Sequence, residues 1–118
     1  MSLAVLDIKA FVPAQNIETS KEFYEALGFE VPWSSGDTAY VRHGQVGFLL
    51  LESFIPDHAN NFMMHLQVES VGDWYANVLA SGVVKKFGIE LGKLQDELRE
   101  FSLTDPAGVC WLINQNNT

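Results

Sequence analysis

The chain has 118 residues, 47% of them hydrophobic, and 15 Asp and Glu against 7 Lys and Arg give a formal net charge of -8. That length supports one core burying roughly two thirds of the extended surface, and the acid surplus repels phosphate backbones, so nucleic acid is not expected as a partner. No apolar run approaches the ~20 residues that span a bilayer, the opening MSLAVLDIKAF lacks a basic leader, and Cys110 is the lone cysteine, so a cytoplasmic protein with no membrane partner and no disulfide is expected.

In chain order, LAVLDIKAFV is rich in branched residues and predicts a strand. In NIETSKEFYEALGF, Asn16 is a helix-capping type, Ser20, Phe23, Tyr24 and Leu27 form a stripe at helical spacing, and Gly28 supplies a left-handed stop. A second strand ends near Trp33, and TAYVRH and VGFLLLESF then flank Gly44-Gln45 as a hairpin does. SFIPDHANN is a polar linker, set at residues 54–61. NFMMHLQVE predicts another strand, and SVGDWYANVLASGV another helix, capped by Ser70, with Val71, Trp74, Tyr75, Val78 and Leu79 as its stripe. GIELGKLQDE, residues 88–97, is a polar loop able to close over a site, and EFSLT and VCWLINQ form a last hairpin around DPAG.

The chain repeats itself. Asn16 and Ser70, Ile17 and Val71, Ala26 and Ala80, and Gly28 and Gly82 all stand 54 residues apart, where a helix must start, pack and stop. Two βαβββ modules, about 1–53 and 62–118, therefore make up a single α+β domain of curved mixed sheets around a cleft.

Alternation along the strands selects the residues of that cleft. Phe62, Met64, Leu66 and Val68 are apolar and meet a helix, so Met63, His65 and Gln67 face the other way. A shift of 54 adds Lys9 and Phe11, with Asp7 beside them. Aligning the hairpins on Gly44 and Gly108, 64 apart, pairs Phe48 with Leu112 and adds Leu50, Glu52, Cys110 and Asn114, with Val41 and His43 opposite. Trp33, Phe11, Phe48 and Phe54 would line the groove with aromatic rings, whereas Trp74 and Trp111 fall on the helix side. Aromatic faces in an acidic protein suit a cationic or flat heteroaromatic ligand.

The βαβββ order, the helix motif S-x-x-FY-x-x-LGF and the closing hairpin on DP-x-G resemble the vicinal oxygen chelate superfamily of glyoxalase I, fosfomycin-resistance enzymes and extradiol dioxygenases. FYEALGFEV, VRHGQVGFLLLESF and TDPAGVCWLINQN are most similar to bleomycin resistance proteins. The resemblance implies metal ligands on the first and last strands of each module, but the matching positions are Lys9, Phe48, Met63 and Leu112, which offer no donor set. It therefore implies no metal cofactor and a non-catalytic binder, with a symmetric homodimer whose clefts sequester a small molecule such as a glycopeptide antibiotic. Two alternatives stand beside it. One is a divalent-metal enzyme of the glyoxalase or dioxygenase type using His43, Glu52 and His65; the other is a structural paralogue with a filled cleft.

Overall fold

A computed structural model describes residues 1–53 and 56–116. The elements are β1 (Phe11–Ala14), α1 (Ile17–Ala26), β2 (Glu30–Ser35), β3 (Thr38–His43), β4 (Val46–Glu52), α2 (Pro56–Asn60), β5 (Met63–Val68), α3 (Val71–Ser81), α4 (Val83–Phe87), β6 (Glu100–Thr104) and β7 (Cys110–Gln115). One sheet runs β1-β4-β3-β2 and the other β5-β7-β6. In each, the strand before the long helix lies parallel to the last strand of its module. The fold is the expected α+β class with two mixed sheets.

Both long helices start where their caps dictate. Asn16 accepts from Thr19 N at 3.1 Å, and Ser70 Oγ accepts from Asp73 N at 3.2 Å. A second tether repeats as well: Glu52 Oε2 accepts from Ile17 N at 2.9 Å, and Gln115 Oε1 accepts from Val71 N at 3.0 Å. The free amide at a helix start is thus held by the end of the last strand of the same module. Gly82, at φ 75°, turns the chain from α3 directly into α4.

The inner faces of the two sheets meet over a shared core. Val12, Ala39, Val41, Phe48 and Leu50 of the first sheet and Phe101, Leu103, Trp111 and Ile113 of the second are buried. Phe48 and Trp111 lie 5.3 Å apart between ring centroids, and Tyr24 of α1 touches both, at 5.1 and 5.7 Å. One polar network sits in this apolar joint. Tyr24 donates from its hydroxyl to Asp105 Oδ2 at 2.6 Å and accepts from Trp111 Nε1 at 3.0 Å, while Asp105 Oδ1 accepts from the amides of Ala107 and Val109.

Three segments depart from expectation. Of the strand expected over residues 3–12 only Phe11 and Val12 are found in β1, which runs on to Ala14: with Phe11 opposite Leu49 and β4 starting at Val46, the ladder soon runs out, and residues 1–10 take no regular structure. The linker contains a short helix, α2. Residues 88–97 run along the edge of β6, joined by Gly92 N to Ser102 O at 2.8 Å and Gln95 N to Glu100 O at 2.8 Å. The strand expected between helix and final hairpin is thereby reduced to two isolated bridges, Leu91 with Leu103 and Gln95 with Glu100.

Candidate functional site

Each sheet buries one face and leaves the other open, so candidate binding surfaces are the two outer faces. On the first sheet the cross-strand partners Phe11, Leu49, Tyr40 and Trp33 form one continuous row. With strands ~4.8 Å apart this row is ~14 Å long. Phe11 and Trp33 are 54% and 51% exposed, large values for side chains whose burial would each contribute about 1.5–3 kcal/mol. At one end a hollow of about 190 Å³ lies between Phe11, Pro13, Leu51, His58 and Phe62.

Tyr40 lies down on the sheet because residue 47 is glycine. A Cβ there would come 2.8 Å from Tyr40 Cε1 and 2.6 Å from the Val41 carbonyl oxygen, so any side chain would displace the ring. Over the exposed ring face stands Lys9, its Nζ 5.0 Å from the centroid and paired with Asp7. Arg42, two residues along β3 on the same face, pairs with Glu30 at 3.3 Å.

The outer face of the second sheet is more polar. Its rungs are Met63 with Cys110 and Thr104, His65 with Leu112 and Ser102, and Gln67 with Asn114 and Glu100. His65 Nε2 lies 2.7 Å from Asn114 Oδ1.

Eight of the twelve residues picked from the sequence thus lie on outer faces: Lys9, Phe11 and Trp33 on the first sheet, and Met63, His65, Gln67, Cys110 and Leu112 on the second. Four do not. Phe48 and Leu50 are core residues, 3% and 0% exposed. Glu52 holds the start of α1. His43 packs at the inner side against Phe29 and Trp74, at 5.3 and 5.6 Å between ring centroids, and borders a crevice of about 390 Å³. Val41, grouped with them, is buried too. The alignment on Gly44 and Gly108 is one residue out, since a two-residue turn was matched to the longer DPAG turn. A shift of one flips every side chain of a strand. Leu49, opposite Phe11, is the counterpart of Leu112, opposite His65.

This correction supplies the residues the sequence reading missed: Tyr40, Arg42 and Leu49 belong to the open face. Phe54, expected at the groove, lies outside the described residues. The expected convergence of positions 9, 48, 63 and 112 on one hollow is also corrected, because Phe48 points into the core between the sheets. The alternative metal set is dispersed, with His43 and Glu52 at opposite ends of the β3–β4 hairpin and His65 on the outer face of the other sheet. Among the described residues no three His, Cys, Asp or Glu side chains cluster as metal ligands would. With Leu49 in place of Phe48, the positions matching the superfamily's ligands are Lys9, Leu49, Met63 and Leu112, and this set does not fit a metal ion. No helix among the described residues is long and apolar enough to cross a membrane.

Glu52 provides a direct check. Glu52→Ala is expected to cost about 1 kcal/mol by freeing the Ile17 amide, whereas Glu52→Gln, which keeps an acceptor oxygen, costs a few tenths. Urea denaturation measures both, and ligand affinity should not change.

The family model for the Glyoxalase/Bleomycin resistance protein/Dioxygenase superfamily matches residues 7–113. Among curated proteins, none matches the sequence. Solved structures are similar in fold. A bleomycin-binding protein from bleomycin-producing Streptomyces verticillus, complexed with copper(II)-bleomycin, has a TM-score of 0.77 at 20% identity, covering 98% of this chain and 100% of that one. An antibiotic binding protein from Streptomyces sp. gives 0.75 at 19%, covering 98% and 100%. A fosfomycin resistance protein from Listeria monocytogenes, complexed with Mn(II) and sulfate, gives 0.71 at 11%, covering 99% and 93%.

Proposed function

Because the chain belongs to the glyoxalase/bleomycin resistance protein/dioxygenase superfamily, we propose that it captures an aromatic, antibiotic-like small molecule between two copies of itself, without metal and without chemical conversion. The observation that carries this reading is the open face of the first sheet, where an aromatic row occupies the surface and Lys9 and Leu49 stand where ligands to a metal would be needed. A stacked ligand gains about 0.5–1.5 kcal/mol per well-placed ring beyond its area. The polar groups of the second sheet, His65 with Asn114 among them and Glu100 at the end of the next rung, suit hydrogen bonding from the opposite wall. The mechanism is stoichiometric enclosure, in which the bound molecule is withheld from its target.

A single chain leaves both walls uncovered, which supports a homodimer pairing the first-sheet face of one copy with the second-sheet face of the other. The N-terminal segment supports it further. Leu3, Val5, Leu6 and Ile8 are 84%, 83%, 97% and 91% exposed, and the segment leads directly into β1. Strand β5 meanwhile has β7 on one side and, among the described residues, an open edge on the other. Adding residues 2–9 of a second copy to that edge satisfies its free backbone groups and buries the four apolar side chains.

Thermal denaturation with bleomycin and with fused-ring aromatic antibiotics tests capture. At a free ligand concentration 100-fold above Kd the protein gains about 2.7 kcal/mol, and Trp33→Ala weakens affinity about tenfold. Elemental analysis after incubation with Zn, Fe, Ni and Mn should find no stoichiometric metal. One tightly held equivalent, or no stabilisation by any of these ligands, refutes the reading.

A further inference from the structure

Resting on the capture reading above, we infer that the ligand is a flat, fused-ring aromatic bearing an anionic group, such as a carboxylate, phenolate or sulfate, and not a cation. The overall charge of -8 favours cations only at long range, and beyond a Debye length of about 8–10 Å that field is screened. Within the cleft the nearest groups decide.

On the outer face of the first sheet, among the described residues, the charged side chains on β1 to β4 and the segment entering β1 are Lys9, Arg42 and their partners Asp7 and Glu30. The ammonium of Lys9 is the group held over the aromatic row, 5.0 Å above the Tyr40 ring. Its partner Asp7 belongs to the N-terminal segment without regular structure and is itself 55% exposed. Arg42 stands one rung further along, with 42% of its side chain exposed. A ligand laid along this row between Phe11 and Trp33 therefore meets one cation over the Tyr40 ring and a second at its margin, each with donors left over after a single carboxylate contact. An anionic substituent takes up those donors in charge-assisted hydrogen bonds. A cationic substituent meets like charge there and competes with Lys9 for the same ring face.

The test titrates the full-length protein with anthracene carboxylate and with its aminomethyl counterpart, following tryptophan fluorescence and confirming by calorimetry. The carboxylate is expected to bind about tenfold more tightly, and Lys9→Gln/Arg42→Gln to remove that preference while keeping the thermal unfolding profile. Tighter or equal binding of the ammonium compound overturns the inference and leaves capture standing. A preference that survives the double substitution also overturns it, since the anion is then held elsewhere. If neither compound binds at millimolar concentration, the inference and the capture reading on which it rests fall together.

Discussion

From the proposed assembly, deleting residues 2–9 is expected to leave a monomer that no longer captures ligand, while each chain stays folded. The side chains removed contribute nothing to the core of their own chain, since Leu3, Val5, Leu6 and Ile8 are all more than four-fifths exposed. In an assembly they contribute greatly. Burying a side chain of this size is favourable by about 1.5–3 kcal/mol, and a strand added to the edge of β5 gains backbone hydrogen bonds as well. Part of that gain orders the segment, at about 1–2 kcal/mol per residue for the backbone. Sedimentation velocity on the deleted and intact proteins measures the outcome. A truncated chain that still dimerises and binds would remove the segment from the assembly. Substituting Val5 and Ile8 together by Ser provides a milder version that keeps chain length, and it should weaken association without changing far-UV circular dichroism.

Asp105→Ala is expected to be the most damaging single substitution, costing about 2–4 kcal/mol of a total stability that for such domains is about 5–15 kcal/mol. The carboxylate is 2% exposed and serves the amides of Ala107 and Val109 together with the Tyr24 hydroxyl, so its loss strands three buried donors. Tyr24→Phe should cost less, about 1–3 kcal/mol, by leaving Trp111 Nε1 and Asp105 Oδ2 short of partners. The double variant should cost less than the sum, because both changes break one network.

The pair also has a pH signature. Burial pushes the Asp105 carboxyl above the usual aspartate value, opposed by hydrogen bonds from Tyr24 and from the backbone amides of Val109, Ala107 and Gly108. Burial likewise pushes the Tyr24 phenol well up, reinforced by the Asp105 charge, so the phenol keeps its proton and remains a donor. A carboxyl whose folded value exceeds its unfolded one holds its proton more readily in the native state. Its contribution is complete below the unfolded value and is lost as pH rises through the folded one. The stability of wild type relative to Asp105→Asn should therefore decline as pH rises above the ordinary aspartate value. Urea titrations of the two proteins across that range give the difference, and a widening gap would contradict the assignment.

The sequence carried the duplication plainly, because helix starts and stops depend on local chemistry: Asn16, Ser70, Gly28 and Gly82 mark ends that the structure places within a residue or two. Strands β5 and β7 were legible for a similar reason, since Met64, Leu66, Trp111 and Ile113 alternate with a set that includes His65, Gln67 and Asn114. The hairpin of β3 and β4 was legible as a hairpin, but not which of its faces is buried. VGFLLLE is apolar at almost every position, so alternation gives no contrast there, and its facing had to be taken from turn alignment, which one residue of turn length reversed. The open aromatic row was hidden for the same reason, as Tyr40 and Leu49 emerge only once that facing is right. Residues 3–12 read as strand because their composition is that of a strand, but composition cannot say whether a neighbouring strand is there to pair with.

The meeting of Trp111 with Phe48 and Tyr24 has a consequence for how such a chain could have arisen and how it comes apart. A solitary ancestral half would have exposed these rings, and only self-association could have shielded them. Fusion in tandem made that shielding intramolecular, with a high effective concentration replacing encounter. Halves that share these rings cannot melt separately without exposing them, so thermal denaturation of the chain is expected to be a single cooperative event.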